Sequence, residues 1–189
     1  MKTLKTLAVL LFLACTILSF KPIDDWTMVA TENCKIYFPH QPTDQSGTVN
    51  TAKGNLKLNI YSYNAATKNG DDNLAYILTE TEYPDSLINS GNDNELDAFF
   101  KNSIDGIVNN FHGKLVSESK TAIQGFPGRQ VKLDIQQGKS VMNIRLYLVK
   151  NRLYMLEIVT ATDKDDNSSI EKFMNSFELI DSDNVELGS

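Results

Sequence analysis

Apolar and polar positions alternate over most of this chain, and in two places the alternation gives way to a period near 3.6. Residues 26–31 and 34–39 read as short strands joined by a tight Glu32-Asn33 turn. Gln41 to Gly47 is polar and rich in turn formers. Leu56, Leu58 and Ile60 alternate with Lys57, Asn59 and Tyr61, which predicts a strand with one buried face. The same pattern resumes from Leu74 to Tyr83, after the turn-rich Asn69-Gly70-Asp71-Asp72. Between Asn94 and His112 the apolar residues Leu96, Phe99, Phe100, Ile104, Ile107, Val108 and Phe111 recur at helical spacing. Asp93, Glu95 and Asp97 gather at that helix's start, where its dipole favours acids, and Gly113 is placed to stop it.

An antiparallel meander is predicted next. Leu115–Ala122 is its first strand, and Gly125-Phe126-Pro127-Gly128 has the composition of a type II turn. Val131, Leu133 and Ile135 alternate with polar neighbours before Gln137-Gly138 turns the chain. Lys150-Asn151 separates two further strands, 141–149 and 153–160, which are apolar on both faces and so require cover on both sides. A last helix begins with a capping-box spacing, Ser168 to Glu171, and lays Ile170, Phe173, Met174 and Phe177 in one stripe. Leu146, Leu148, Leu156, Ile158, Phe173 and Phe177 are expected to share one core between these strands and that helix. Asp181–Ser189 reads as a polar tail.

The first 20 residues follow another logic. Lys2 and Lys5 precede an almost unbroken apolar run, Leu7–Phe20, and polarity returns at once with Lys21, Pro22, Asp24 and Asp25. A largely apolar run of fourteen residues is short for a bilayer span but suits a cleavable export signal. Two modes of cleavage fit. Leu13-Ala14-Cys15 resembles a lipoprotein box that would place a lipid anchor on Cys15, and ordinary cleavage near Ser19 is the alternative. Residues 1–20 are thus assigned to the leader and 21–189 to a single extracytoplasmic α+β domain. Its sheet is expected to be antiparallel and covered by helices on both faces. Losing Lys2 and Lys5 from 18 basic residues, against 24 acidic ones, leaves a mature charge of −8. That excess of acid lacks the basic footprint a nucleic-acid partner needs.

The chemistry-bearing residues are few. Besides Cys15 there is one cysteine, Cys34, which shares a strand face with Ile36 and Phe38 and reads as a small buried hydrophobe. His40 and His112 are the only histidines. At strand rise, roughly 20 Å separates Cys34 from His40, so they form no dyad. Asp163, Asp165 and Asn167 give a fragment of a calcium loop, but Ser168 and Met174 replace its glycine and its final glutamate, so the acids read as a helix start. Tyr61, Tyr63 and Tyr83 are candidates for an aromatic surface or for core. No catalytic, cofactor or metal residue is assigned and no cofactor is expected. Two function classes stay open: a non-catalytic envelope or secreted domain binding an unknown protein or small ligand, and a glycosidase-like hydrolase using dispersed carboxylates. A deep pocket holding two carboxylates would favour the second.

Three segments carry a family resemblance. Gly125-Phe126-Pro127-Gly128-Arg129, then the run from Ile144-Arg145-Leu146-Tyr147 through Arg152-Leu153-Tyr154, then Phe173-Met174-Asn175-Ser176-Phe177 resemble an uncharacterised family of exported bacterial proteins. Phe38-Pro39 with Pro42 resembles that family's N-terminal element, with His40 and Gln41 in place of its Gly-Lys. The family is similar in turn to the PsbP-like α/β/α sandwiches. The resemblance implies that fold and no activity, since relatives bind unrelated partners on one scaffold. The metal-binding residues of the photosystem II subunit in that group have no match here.

Overall fold

The computed structural model describes residues 26–51, 54–66 and 70–180. The leader, Cys15, the cleavage positions and the tail from Asp181 lie outside the described residues. The elements are β1 (Thr27–Ala30), β2 (Cys34–Phe38), β3 (Thr43–Thr51), β4 (Gly54–Asn64), β5 (Asn73–Glu82), α1 (Asp93–Phe111), β6 (Lys114–Ile123), β7 (Phe126–Ile135), β8 (Ser140–Val149), β9 (Arg152–Ala161), a 3₁₀ turn (Thr162–Lys164), α2 (Ser168–Asn175) and β10 (Glu178–Leu179). Seven strands form one antiparallel sheet in the order β3-β4-β5-β9-β8-β7-β6, and β1-β2-β10 form a small second sheet.

Strand parity divides the core in two. On β8, Met142, Ile144, Leu146 and Leu148 join Leu96, Phe100, Ile104 and Ile107 of α1. Tyr147 of β8 joins Leu156, Ile158, Cys34, Ile36, Phe38, Phe173 and Phe177 in the other cluster, with α2 and the small sheet. Both faces of β8 and β9 are therefore covered, as their composition requires. The expected single core is corrected, because Leu146 and Leu148 point away from Phe173. Leu146 sits opposite Met155 in the β8–β9 register, not Leu156, so the two leucine sets fall on opposite faces. Among the described residues the sheets are antiparallel and there are two α-helices. The cover beside α2 is largely the small sheet, where a helical layer was expected.

Several local readings shift. Residues 43–51 form a strand, not only a turn-rich connection, and every residue of it is exposed. The hairpin between β6 and β7 turns at Gln124 (φ 48°) and Gly125 (φ 86°), a two-residue loop with both angles positive. Phe126-Pro127-Gly128 belongs instead to β7. Gly128 is needed there because a Cβ would lie 2.5 Å from the Leu146 carbonyl oxygen. His112, not Gly113, takes the left-handed conformation that ends α1.

The start of α2 is also one residue earlier than the capping-box spacing implies. Asn167 is the N-cap, its Oδ1 accepting from the amides of Ser169 and Ile170. The same side chain exchanges two hydrogen bonds with Asn73 of β5, at 3.0 and 3.1 Å. Asn73 is buried, accepts from Thr160 Oγ1 and donates to the Tyr76 hydroxyl, which donates to Asp71. At the other end of α2, Arg145 donates to the Met174 carbonyl and to Asn175 Oδ1, a cation where the helix dipole is negative.

Candidate functional site

The strands that form the sheet's inner face change character along their length. On β5, Tyr76 and Leu78 are buried in the apolar cluster, and the next two residues on the same face are Glu80 and Glu82. Register places Asn59 and Lys57 of β4 opposite these acids on one side, and Tyr154 and Arg152 of β9 on the other. The β1–β2 turn, with Thr31, Glu32 and Asn33, overhangs this end of the sheet. Between them lies a cleft of about 920 Å³, with Ser46, Gly47 and Thr48 of β3 on its far wall and Tyr61 beside Glu80.

Glu80 is the buried group of this cleft, 3% exposed. One carboxylate oxygen accepts from the Thr31 hydroxyl at 3.0 Å and the Cys34 thiol at 3.0 Å; the other accepts from the Asn59 amide at 3.4 Å. Glu82 accepts from Lys57 at 3.1 Å and Arg152 at 2.8 Å. Those two cations, the Lys57 ammonium first, hold its carboxyl below the usual range. Burial raises the Cys34 thiol well above its ordinary value, and the neighbouring Glu80 carboxylate adds to the rise. Cys34 is therefore a protonated hydrogen-bond donor, not a nucleophile. It keeps the buried place read from the sequence, together with Ile36 and Phe38.

The remaining candidates do not converge. His40 is exposed and lies 5.4 Å from the Tyr63 ring, in contact with the apolar cluster and not with Cys34's partners. His112 Nδ1 is 2.9 Å from the Asn109 carbonyl oxygen at the end of α1. Asp165 is engaged by Lys132 and by the Asn143 amide, and Asn167 is spent on the cap. Among the described residues no group of three potential metal ligands occurs. Tyr61 and Tyr63 share a face as alternation requires. Tyr63 is core, Tyr61 lines the cleft, and Tyr83 packs on Phe99.

The motif residues behind the family resemblance prove to be structural. Arg145 closes α2, Tyr147 stacks on Phe177 at 5.9 Å, and Tyr154 meets the same ring at 5.2 Å. Ser176 accepts from the Tyr37 amide and so ties α2 to β2. Arg129 is buried over the Phe100 ring and paired with Asp97 and Glu118. These residues fasten each cover to the sheet, and none of them lines the cleft except at its Arg152 edge.

Glu80, Glu82, Asn59 and Lys57 were missed as site residues. Their signal is the switch from apolar to charged residues along one face of β4 and β5, visible only once the register is known.

No family model matches this chain, and no curated protein matches it. Among solved structures it is similar to cyanobacterial PsbP from Synechocystis sp. PCC 6803, with 9% identity over 85% of this chain and 96% of that one, at a TM-score of 0.47. It is also similar to PA94, a protein of unknown function from Pseudomonas aeruginosa, with 9% identity over 74% of this chain and 85% of that one, at a TM-score of 0.32.

Proposed function

We propose that this protein is an exported, non-catalytic binding domain of the PsbP-like layered type, and that the cleft beneath the β1–β2 turn holds a small, uncharged, hydrogen-bonding ligand. The observation that carries the reading is charge compensation. Two acids on the floor, Glu80 and Glu82, stand with two cations, Lys57 and Arg152, and Glu80 is solvated by three neutral donors, so the floor offers fixed dipoles and little net charge. Such a floor favours hydroxyl and amide groups over ions, and the Tyr61 ring adds an apolar surface of the kind that polar pockets use for orientation. Export rests on the leader's charge and apolar pattern, and anchoring would rest on Cys15 alone. A screen of neutral mono- and oligosaccharides and blocked dipeptides by heteronuclear shift mapping tests the reading. Shifts confined to Thr31, Asn59, Tyr61 and Arg152, and lost in Tyr61→Ala, are expected. Binding elsewhere, or only of charged probes, ends it.

One observation favours a second reading. The cleft holds three carboxylates, Glu80 and Glu82 on its floor and Glu32 on the overhanging turn, which meets the condition set for a glycosidase-like hydrolase. Glu80 and Glu82 project from one strand to the same side, two residues apart, and Glu82 is held ionised by its cations. A glycosidase pair instead flanks the scissile bond from two sides, an arrangement open here only to Glu32 set against one of them. Turnover of a chromogenic glycoside that Glu80→Gln abolishes at unchanged stability would establish the hydrolase and overturn the binding proposal.

A further inference from the structure

The large sheet has two edges, and one of them is complementary to itself. Strand β6 pairs with β7 over its whole length, and among the described residues no strand pairs with its other side. It is ten residues long, and seven consecutive residues from Lys114 to Lys120 are exposed. Long exposed edges template pairing with further strands unless something blunts them.

The hairpin fixes which groups of β6 point outward. With a two-residue loop at Gln124-Gly125, the flanking Ile123 and Phe126 form a hydrogen-bonded pair, and bonded pairs then recur at every second residue. Thr121 and Ser119 thus spend their backbone groups on Gly128 and Gln130. The amides and carbonyls of Glu118, Lys120 and Ala122 point away from the sheet. Pro127 agrees with this parity, because it sits in a non-bonded pair with Ala122 and needs no N–H there.

Two copies of β6 can meet antiparallel only where outward residues oppose outward residues. A two-fold axis through Ser119 meets that condition. Ser119 then faces its own copy, Glu118 faces Lys120 twice, and Ser117 faces Thr121 twice. Centring the axis on Glu118 or on Lys120 also satisfies the backbone, but it sets like charge against like. Beyond the regular segment, a register shift between Leu115 and Ser117 marks a bulge, where Val116 is 57% exposed. That bulge limits the new ladder and brings the Val116 end of one copy to the Ala122 end of the other. The other edge, β3, has Asp44 as its only charged residue and no such internal match.

We propose that β6 is a self-association edge, and that two copies of this chain pair antiparallel through β6 about Ser119 to form one continuous fourteen-stranded sheet (about twice the present seven). The occupant is a second copy because the register about Ser119 sets Glu118 against Lys120 at both ends, beside the pairs that Glu118 makes with Arg129 and Lys120 with Asp97 in each chain. The contact is narrow, so the dimer is weak and concentration-dependent.

Cysteine scanning with sedimentation tests this on the purified protein. The wild type should shift from monomer to dimer over roughly a hundredfold rise in concentration. Under mild oxidation Ser119→Cys should link to itself, since facing residues of a non-bonded pair stand about 4.5 Å apart at Cα, within disulfide reach. Ser117→Cys and Thr121→Cys should each stay unlinked alone and link when mixed, and wild type measured in parallel accounts for the native thiols. A chain that is monomeric throughout, a Ser119→Cys no faster to link than Thr121→Cys alone, or a dimer that links only through Gln45→Cys on β3 would overturn the proposal.

Discussion

Replacing Phe173 by alanine removes the largest side chain that α2 contributes to the inner core. Phe173 is fully buried, with its ring 5.1 Å from Phe38 of β2 and 5.4 Å from Tyr76 of β5, both edge to face. It thus joins the small sheet, the helix and the large sheet at one point. Truncating a buried phenylalanine costs about 3–5 kcal/mol, and the two aromatic contacts, each worth about 0.5–1.5 kcal/mol, place this site toward the upper end. Little can collapse into the gap, because Phe38 and Tyr76 are held in strands and Tyr76 is further fixed by its hydroxyl bonds to Asn73 and Asp71. With a urea m-value of about 2 kcal/mol per molar, the midpoint should fall by about 2 M. Equilibrium unfolding followed by far-UV circular dichroism and Trp26 fluorescence measures it. A midpoint within about 0.3 M of wild type at unchanged m would show that α2 does not close this core.

Two further outcomes are expected. Burial raises Glu157 from 4.5 to about 7; below pH 4 both states hold the proton. Between those values the unfolded chain ionises first, so stability should fall as pH rises toward 7 and the full penalty should stand above it. Glu157→Gln should flatten this pH dependence of the urea midpoint, and a mutant that keeps the wild-type slope would refute the assignment. Intact-mass analysis of the native protein should find Met1 absent. A mass beginning near Phe20 supports ordinary cleavage, a diacylated Cys15 supports the anchor, and a retained Met1 refutes export.

Legibility in the sequence followed burial. Strands β8 and β9 declared themselves because both of their faces are apolar, and α1 because six of the seven apolar residues in its stripe pack on one side of the sheet. Strand β3 was hidden because nothing in it is buried, so no alternation exists to be read; its pairing with β4 alone makes it a strand. The turn after β6 was misplaced by one signal overriding another. Pro127 and Gly128 have turn chemistry, yet Pro127 fits a non-bonded strand position and Gly128 answers a close backbone approach. The core was merged into one because parity within a strand was legible, and which residues of β8 oppose which of β9 was not. The cleft has the same origin: Thr31, Asn59, Glu80 and Arg152 come from four separate segments, and no linear spacing joins them.

The reciprocal amide bonds between Asn73 and Asn167 bear on the order in which this chain acquires its structure. An eight-residue helix is too short to persist alone in water, and α2 draws its cap geometry from a side chain itself held by β5, 94 positions away in sequence. The partner amide in turn depends on Thr160, 87 positions on, and therefore on β5 having found β9. Helix α2 is consequently a late and conditional element, whose formation waits for a long loop to close and for the centre of the sheet to register. Its helical signal reports the completion of strand pairing, and a slip of β5 against β9 by one residue would leave α2 with neither cap nor core.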